Sequence, residues 1–333
     1  MTQSLAIQCP NRGPWACLPE RVAEIRSMIE RCAGEQSRAG ATLAGYAGFH
    51  RVGGVAVVSL VGPMEKYRTW ASWLLGSVIA TEVQAAIEGA VQQKGIGAIA
   101  LFIDSPGGTV AGTADLAETV RRAAQVKPVT AYISDLGASG AYWVASQCSH
   151  ISTNSTALVG SIGTYAIVGD FEGLYERSGV KVHVVRTGEF KGSGVEGTEI
   201  TKEQLVEFQR VIESVNREFL KGVGRGRGLP MDWVRKLADG RVHVASEALG
   251  LKLIDAIKPW DDVLAELVAR YPGPPSALSV KERNAPASRV QLQALPSVSS
   301  AKLEEGRVAS RVASTERYRS DYRRSQPAIS GWN

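Results

Sequence analysis

Apolar residues fall in short blocks along the first two thirds of the chain, and the spacing within each block separates strands from helices. "GVAVVSLVG" at 54–62 is a continuous β-branched run closed by Gly62 and Pro63, the pattern of a strand buried on both faces. "SVIATEVQAAIEGAVQQKG" at 77–95 repeats apolar positions at helical intervals and stops on Gly95. A second buried strand, "IGAIALFID", ends at Asp104; "GTVAGTADLAETVRRAAQ" at 108–125 predicts a second helix and "KPVTAYIS" a third strand. A helix opens near Ser139, and "HISTN" at 150–154 gives a fourth strand.

Beyond Gly160 the spacing predicts a strand over "VKVHVVRTG" at 180–188, then a polar, Gly-rich loop to Thr198. A long amphipathic helix follows from Thr201 to Val223, entered through a Thr201/Gln204 capping box and broken by "GRGRG" at 224–228. Two short helices, a last strand in "LKLIDAI" and a closing helix in "PWDDVLAELVAR" complete the patterned region. This alternation predicts an α/β fold with a mostly parallel sheet covered on both faces. Ligands in such sheets sit beyond the carboxyl ends of the strands, where both "DSPGG" at 104–108 and "LGASG" at 136–140 fall.

Three regions result. Residues 1–50 form an N-terminal extension with one helix at 20–32, residues 51–270 the folded domain, and residues 271–333 a tail rich in Pro, Ser and Arg that reads as disordered. The formal charge of +5 owes much to that tail, where Arg307, Arg311, Arg317, Arg319, Arg323 and Arg324 face only Glu316 and Asp321. A mildly basic tail is ordinarily solvated, so nucleic acid is not the expected partner. Cys9, Cys17, Cys32 and Cys148 show no C-x-x-C pair and no metal-ligand spacing with the four histidines, which fits a reducing cytoplasm and predicts no metal site. Nothing resembles a signal peptide, and no run approaches the ~18 apolar residues of a membrane span, so the expectation is a chain neither secreted nor anchored.

The candidate chemistry centres on Ser139. Between Ala138 and Gly140, at the start of a helix, it reads either as an N-cap or as a nucleophile presented on a tight turn. Likewise "DSPGG" reads as a turn, or as a place where Gly108 lends its N–H to a developing oxyanion. The histidines offer no evident His–Asp partner: His50 precedes the core, His150 and His183 lie in strands, and His243 stands far along the chain without an obvious carboxylate. A lysine serves as base only if burial lowers its pKa from about 10.4 towards neutrality. Lys191, in "RTGEFKGSG", is either such a base or an ordinary surface lysine.

Taken together, "FIDSPGG", "GASGAYWVAS", "ALVGSIGTYAIVGD", "RTGEFKGSG" and "ADGRVHVASEALGLKLID" resemble, in order and spacing, the signal peptide peptidase A or protease IV family of serine peptidases, including its phage head-maturation branch. The resemblance spans about residues 54–268. It implies a Clp protease/crotonase-like fold and a Ser-Lys dyad, with Ser139 as nucleophile, Lys191 as general base, Ser161 of "GSIG" holding the lysine amine, and Gly108 and Gly140 donating to the oxyanion. It further implies a peptide or protein substrate, no cofactor, and a ring-forming homo-oligomer in which neighbouring protomers complete the dyad. The lack of a spanning helix favours a cytoplasmic or phage prohead-associated enzyme. Two rivals share the fold: a crotonase-type acyl-CoA enzyme and a noncatalytic assembly module.

Overall fold

The computed structural model describes residues 15–17 and 48–274, all within the compact unit Met1–Ser276. The expected helix at 20–32 and the tail beyond residue 274 lie outside the described residues. In chain order the first part comprises β1 (Trp15–Cys17), β2 (His50–Val52), β3 (Val55–Val61), β4 (Met64–Glu65), α1 (Trp70–Leu74), β5 (Val78–Ile79) and α2 (Ala80–Gln92). The middle comprises β6 (Ala98–Ser105), β7 (Gly107–Thr109), α3 (Thr113–Val126), β8 (Val129–Ala138), α4 (Gly140–Ala145), β9 (His150–Thr153) and β10 (Leu158–Gly160). The last part comprises α5 (Glu172–Arg177), α6 (Lys202–Arg227), α7 (Met231–Leu237), β11 (Val242–Val244), α8 (Ala245–Gly250), β12 (Ala256–Ile257) and α9 (Trp260–Arg270).

The apolar runs form the expected mixed α/β architecture with a mostly parallel sheet. Its main path is β11-β10-β8-β6-β3-β2, with β9 and β12 attached at β8. Pairings of β6 with β3 and β8, and of β8 with β9 and β10, are parallel; only β2 and β11 join antiparallel. The long β8 divides its neighbours: residues 130–133 pair with β9, and residues 136–138 pair with β10. Ile99, Leu101, Ile103, Ile133 and Ile151 are fully buried, which explains why these strands read as unbroken apolar runs. A second, small sheet runs β1-β7-β4-β5.

Four local expectations change. The helix predicted at 108–125 begins only at Thr113, because Gly107–Thr109 is drawn into the small sheet and Gly112, at φ +87°, turns the chain into the helix. The strand predicted over 180–188 does not form: that stretch is irregular, mostly exposed and paired with no strand. The short strand β11 was not anticipated. Finally, α6 passes straight through "GRGRG" to Arg227 and ends on Gly228 in the left-handed conformation. Its entry matches expectation, with both capping-box bonds present between Thr201 and Gln204 (3.3 and 3.4 Å).

The glycines of α6 serve packing rather than termination. A Cβ on Gly222 would lie 2.2 Å from Trp143 Nε1, and one on Gly226 would lie 2.1 Å from the Ser146 carbonyl. The helix therefore lies directly against α4, where Trp143 stacks on Phe219 at 4.8 Å. At its end, Arg227, with a side chain only 8% exposed, forms a two-pronged ion pair with Asp255 (3.0 and 2.6 Å). Burial pushes the Asp255 carboxyl up, but the Arg227 bonds and the Ile151 amide outweigh it and hold it below its ordinary value.

Two expectations follow. Ala normally exceeds Gly in a helix by about 1 kcal/mol, yet Gly226→Ala should destabilise by roughly 1–3 kcal/mol through overpacking against backbone. Gly250→Ala, where a Cβ meets nothing within 4 Å, should be neutral or slightly stabilising; urea melts compare the two. Because the folded Asp255 pKa is depressed, its contribution is complete above the unfolded carboxylate value and disappears as pH falls through the lower folded value. Asp255→Asn should cost roughly 2–3 kcal/mol at pH 7 by leaving Arg227 unpaired, and should flatten the acid limb of the stability curve below about pH 4.

Candidate active site

Register brings the two candidate serines together. β8 and β10 run parallel with Ala138 opposite Gly160, so the next residues, Ser139 and Ser161, emerge side by side at the carboxyl edge of the sheet. The Ser139 N–H donates to the Gly160 carbonyl (2.7 Å), and the Ser161 N–H donates to the Arg241 carbonyl (2.7 Å), tying both corners to the sheet and to the approach to β11. Three non-glycine residues have positive φ among the described residues: Ser139 (+53°), Ser161 (+49°) and Lys252 (+62°). Strained backbone of this kind costs of order 1–3 kcal/mol and persists only where surroundings impose it.

Ser139 does stand at the N-cap position of α4, but its hydroxyl makes no capping hydrogen bond. With ψ at −122° the chain turns sharply from strand to helix, and the serine carbonyl accepts the Trp143 N–H (2.9 Å) to start the first turn. Ser139 is 1% exposed, and every residue of α4 is buried. The cap position is thus filled while the hydroxyl stays uncommitted to the helix. Gly140 is the first residue of α4, one of the positions whose N–H has no partner within a helix.

The "DSPGG" segment is a strand junction rather than a turn. Ser105 ends β6; its Oγ donates to the Gly62 carbonyl (2.7 Å) and accepts the Gly107 N–H (3.2 Å), pinning the loop between two strand ends. Gly108 then sits in β7, parallel to Met64 of β4 on one side and antiparallel to Ala16 of β1 on the other. A Cβ at Gly108 would fall 1.9 Å from the Met64 carbonyl, so glycine is required for packing whatever else its N–H does. Glu65 follows Met64, half-buried; burial raises its carboxyl against the opposing Ser77 hydrogen bond (2.8 Å).

Lys191 is not joined to these groups in the single chain. It lies in an exposed turn, its N–H bonded to Gly188 (3.0 Å), and among the described residues its side chain makes no hydrogen bond to Ser139 or Ser161. Two histidines need correcting: His150 Nδ1 lies 3.8 Å from the Asp255 carboxylate, and His243 has a carboxylate neighbour in Glu247, 3.6 Å from Nδ1. It also reaches the serine corner, since its Cδ2 lies 3.3 Å from where a Gly160 Cβ would be, and its buried Nε2 has no hydrogen-bond partner. Sequence reading missed this pair because β11 was not anticipated; the i,i+4 spacing of His243 and Glu247 was the available signal. Ser105 was missed because its role is a tether with no motif of its own. Among the described residues no group of three or more His, Cys, Asp or Glu side chains is placed to hold a metal ion.

Residues 121–270 match the family described as Peptidase family S49. Ser139, Gly140, Ser161 and Lys191 lie inside that match, and Gly108 lies before it. The chain is similar to "Putative protease MJ0651" of Methanocaldococcus jannaschii, 32% identical over 51% of this chain and 54% of that protein. It is also similar to "Serine protease SPPA, chloroplastic" of Arabidopsis thaliana, 26% identical over 61% of the chain and 30% of the relative. "Head-tail preconnector protein GP5" of Enterobacteria phage P21 is 29% identical over 55% of the chain and 36% of its own length. The chain thus spans about half or less of each of these relatives.

Gly108→Ala gives a direct test of the packing around β7. The added methyl should displace β4 and destabilise the fold by roughly 1–3 kcal/mol, measured as a lower thermal midpoint. An unchanged midpoint would show that β4 and β7 are not in close contact.

Proposed function

We propose that this chain is a serine endopeptidase on a Clp protease/crotonase-like fold, with the peptidase domain at 51–270 between an N-terminal extension and a C-terminal tail. Ser139 attacks a peptide carbonyl, Lys191 takes its proton, Ser161 orients the lysine amine, and the Gly108 and Gly140 amides receive the oxyanion. The lysine then protonates the leaving amine, and water activated by the same lysine hydrolyses the acyl-enzyme. The observation that carries this reading is the conformation of Ser139: strained, buried, seated at a helix start, yet with its hydroxyl released from capping, on a strand end paired with the one that leads to Ser161. The S49 match and the protease names of its relatives support the same assignment.

The exposed position of Lys191 supports a homo-oligomer. Between β10 and α6 the only helix is α5, and this stretch leaves Ile167, Phe171, Leu174, Val185 and Phe190 exposed, Val185 at 99%. A second protomer covering this stretch would remove water from the Lys191 amine and set it against a serine pair, which a general base of this type requires. The substrate is a peptide or protein, and no cofactor takes part. A role in phage head maturation is the narrower form of the reading, supported by the similarity to the phage P21 preconnector protein.

A fluorophosphonate probe should label the wild-type chain, and Ser139→Ala should abolish both labelling and casein cleavage. Lys191→Ala should lower cleavage by about 10²–10⁴-fold, the usual contribution of a general base; equal cleavage would remove Lys191 from the mechanism. Active fractions should elute as multimers, and a fully active monomer would refute the shared dyad. Acyl-CoA turnover without labelling would instead assign the site to crotonase-type chemistry.

A further inference from the structure

The edge of the small sheet beside the candidate site is occupied by the chain's own N-terminal segment. β1 pairs antiparallel with β7, placing Trp15 opposite Thr109, Ala16 opposite Gly108 and Cys17 opposite Gly107. The other side of β7 is held by β4, and α4, the helix that starts directly after Ser139, packs against β7. An added strand on this edge therefore runs past Gly108 next to the helix that carries the nucleophile. Strand addition of this kind binds extended peptides through main-chain hydrogen bonds with little demand on side chains.

The sequence makes residues 15–18 suited to that edge. They lie in "PWACLP", between Pro14 and Pro19, and Leu18, directly after the paired residues, precedes a proline and is biased towards extended backbone. The pairing is also short, with three residues on each strand, and so small a ladder is readily displaced.

We propose that Trp15–Cys17 is a built-in pseudosubstrate strand, which occupies the peptide track along β7 and must leave before a substrate strand can pair there. The inference rests on the reading of Ser139 and Gly108 as one peptidase site. The test uses the full chain with Ala16→Pro and, separately, Cys17→Pro. Successive N–H groups in a strand point to opposite sides, so at least one of these adjacent substitutions removes a donor facing β7.

Fluorophosphonate labelling of Ser139 reports the integrity of the site, and casein cleavage reports access to the track. At least one variant should label as the wild type does and cleave casein about tenfold faster, the ratio expected if the open form makes up roughly a tenth of the wild-type population. A synthetic peptide of residues 11–20 added to that variant should inhibit competitively and restore the slow rate. Wild-type cleavage rates in both variants, with Ser139 still labelled, would overturn the pseudosubstrate alone, as would failure of the peptide to inhibit. Absence of labelling and cleavage in all three proteins would overturn the peptidase reading along with it.

Discussion

The parallel pairing of β8 with β10 is the constraint on which the rest of the candidate site depends. Side chains alternate across a strand, so a one-residue slip would send every inward residue outward. The fully buried Ile133, Ala138 and Val159 fix the register against such a slip. Once Ala138 lies opposite Gly160, the positions of Ser139 and Ser161 follow, and the 2.7 Å bond from Ser139 N–H to Gly160 locks the turn. The unusual backbone of Ser139 is sustained from outside, by that bond and by the buried helix that begins on the next residue.

That helix is the second element of the arrangement. All six residues of α4 are buried, so the helix has no polar face and depends on close neighbours. The Tyr142 hydroxyl finds the Leu253 carbonyl at 2.8 Å, and Gln147, just beyond the helix, reaches the Gly222 carbonyl at 2.9 Å. Gly222 makes room for the Trp143 indole and Gly226 lets α6 approach the Ser146 backbone, as Gly108 lets β7 approach β4. The same physical device, a missing Cβ at a close approach, thus supports the Ser139 turn from behind and β7 from the side.

The region between β10 and α6 contrasts with this rigidity. Beyond Ile162, which is buried in the core, it carries Lys191 and a set of exposed apolar side chains. Two serines held by a sheet and a lysine held by an exposed turn make an asymmetric site.

The sequence by itself determined the local elements whose cause is local. Unbroken β-branched runs made buried parallel strands, helical spacing made α2, α3 and α9, and Thr201 with Gln204 set the start of α6. Ser139, Gly108 and Gly140 stood out as small residues at strand ends, but the residues alone left cap or turn open beside catalysis, and only the family resemblance chose between them. Tertiary structure decided everything that depended on a neighbour. Residues 180–188 have strand-like alternation but pair with no strand, while Gly107–Thr109 and Val242–Val244 have weak patterns and gain edges. "GRGRG" looks like a break, yet stays helical to Arg227: Gly226 packs on the Ser146 carbonyl, Gly224 faces Met231 and Val234, and only Gly228, with open space around it, ends the helix. Ser105 and the His243–Glu247 pair acquire their positions only through strands distant in sequence. Periodicity is written in adjacent residues, whereas pairing and close approach are properties of two segments, and neither segment alone carries them.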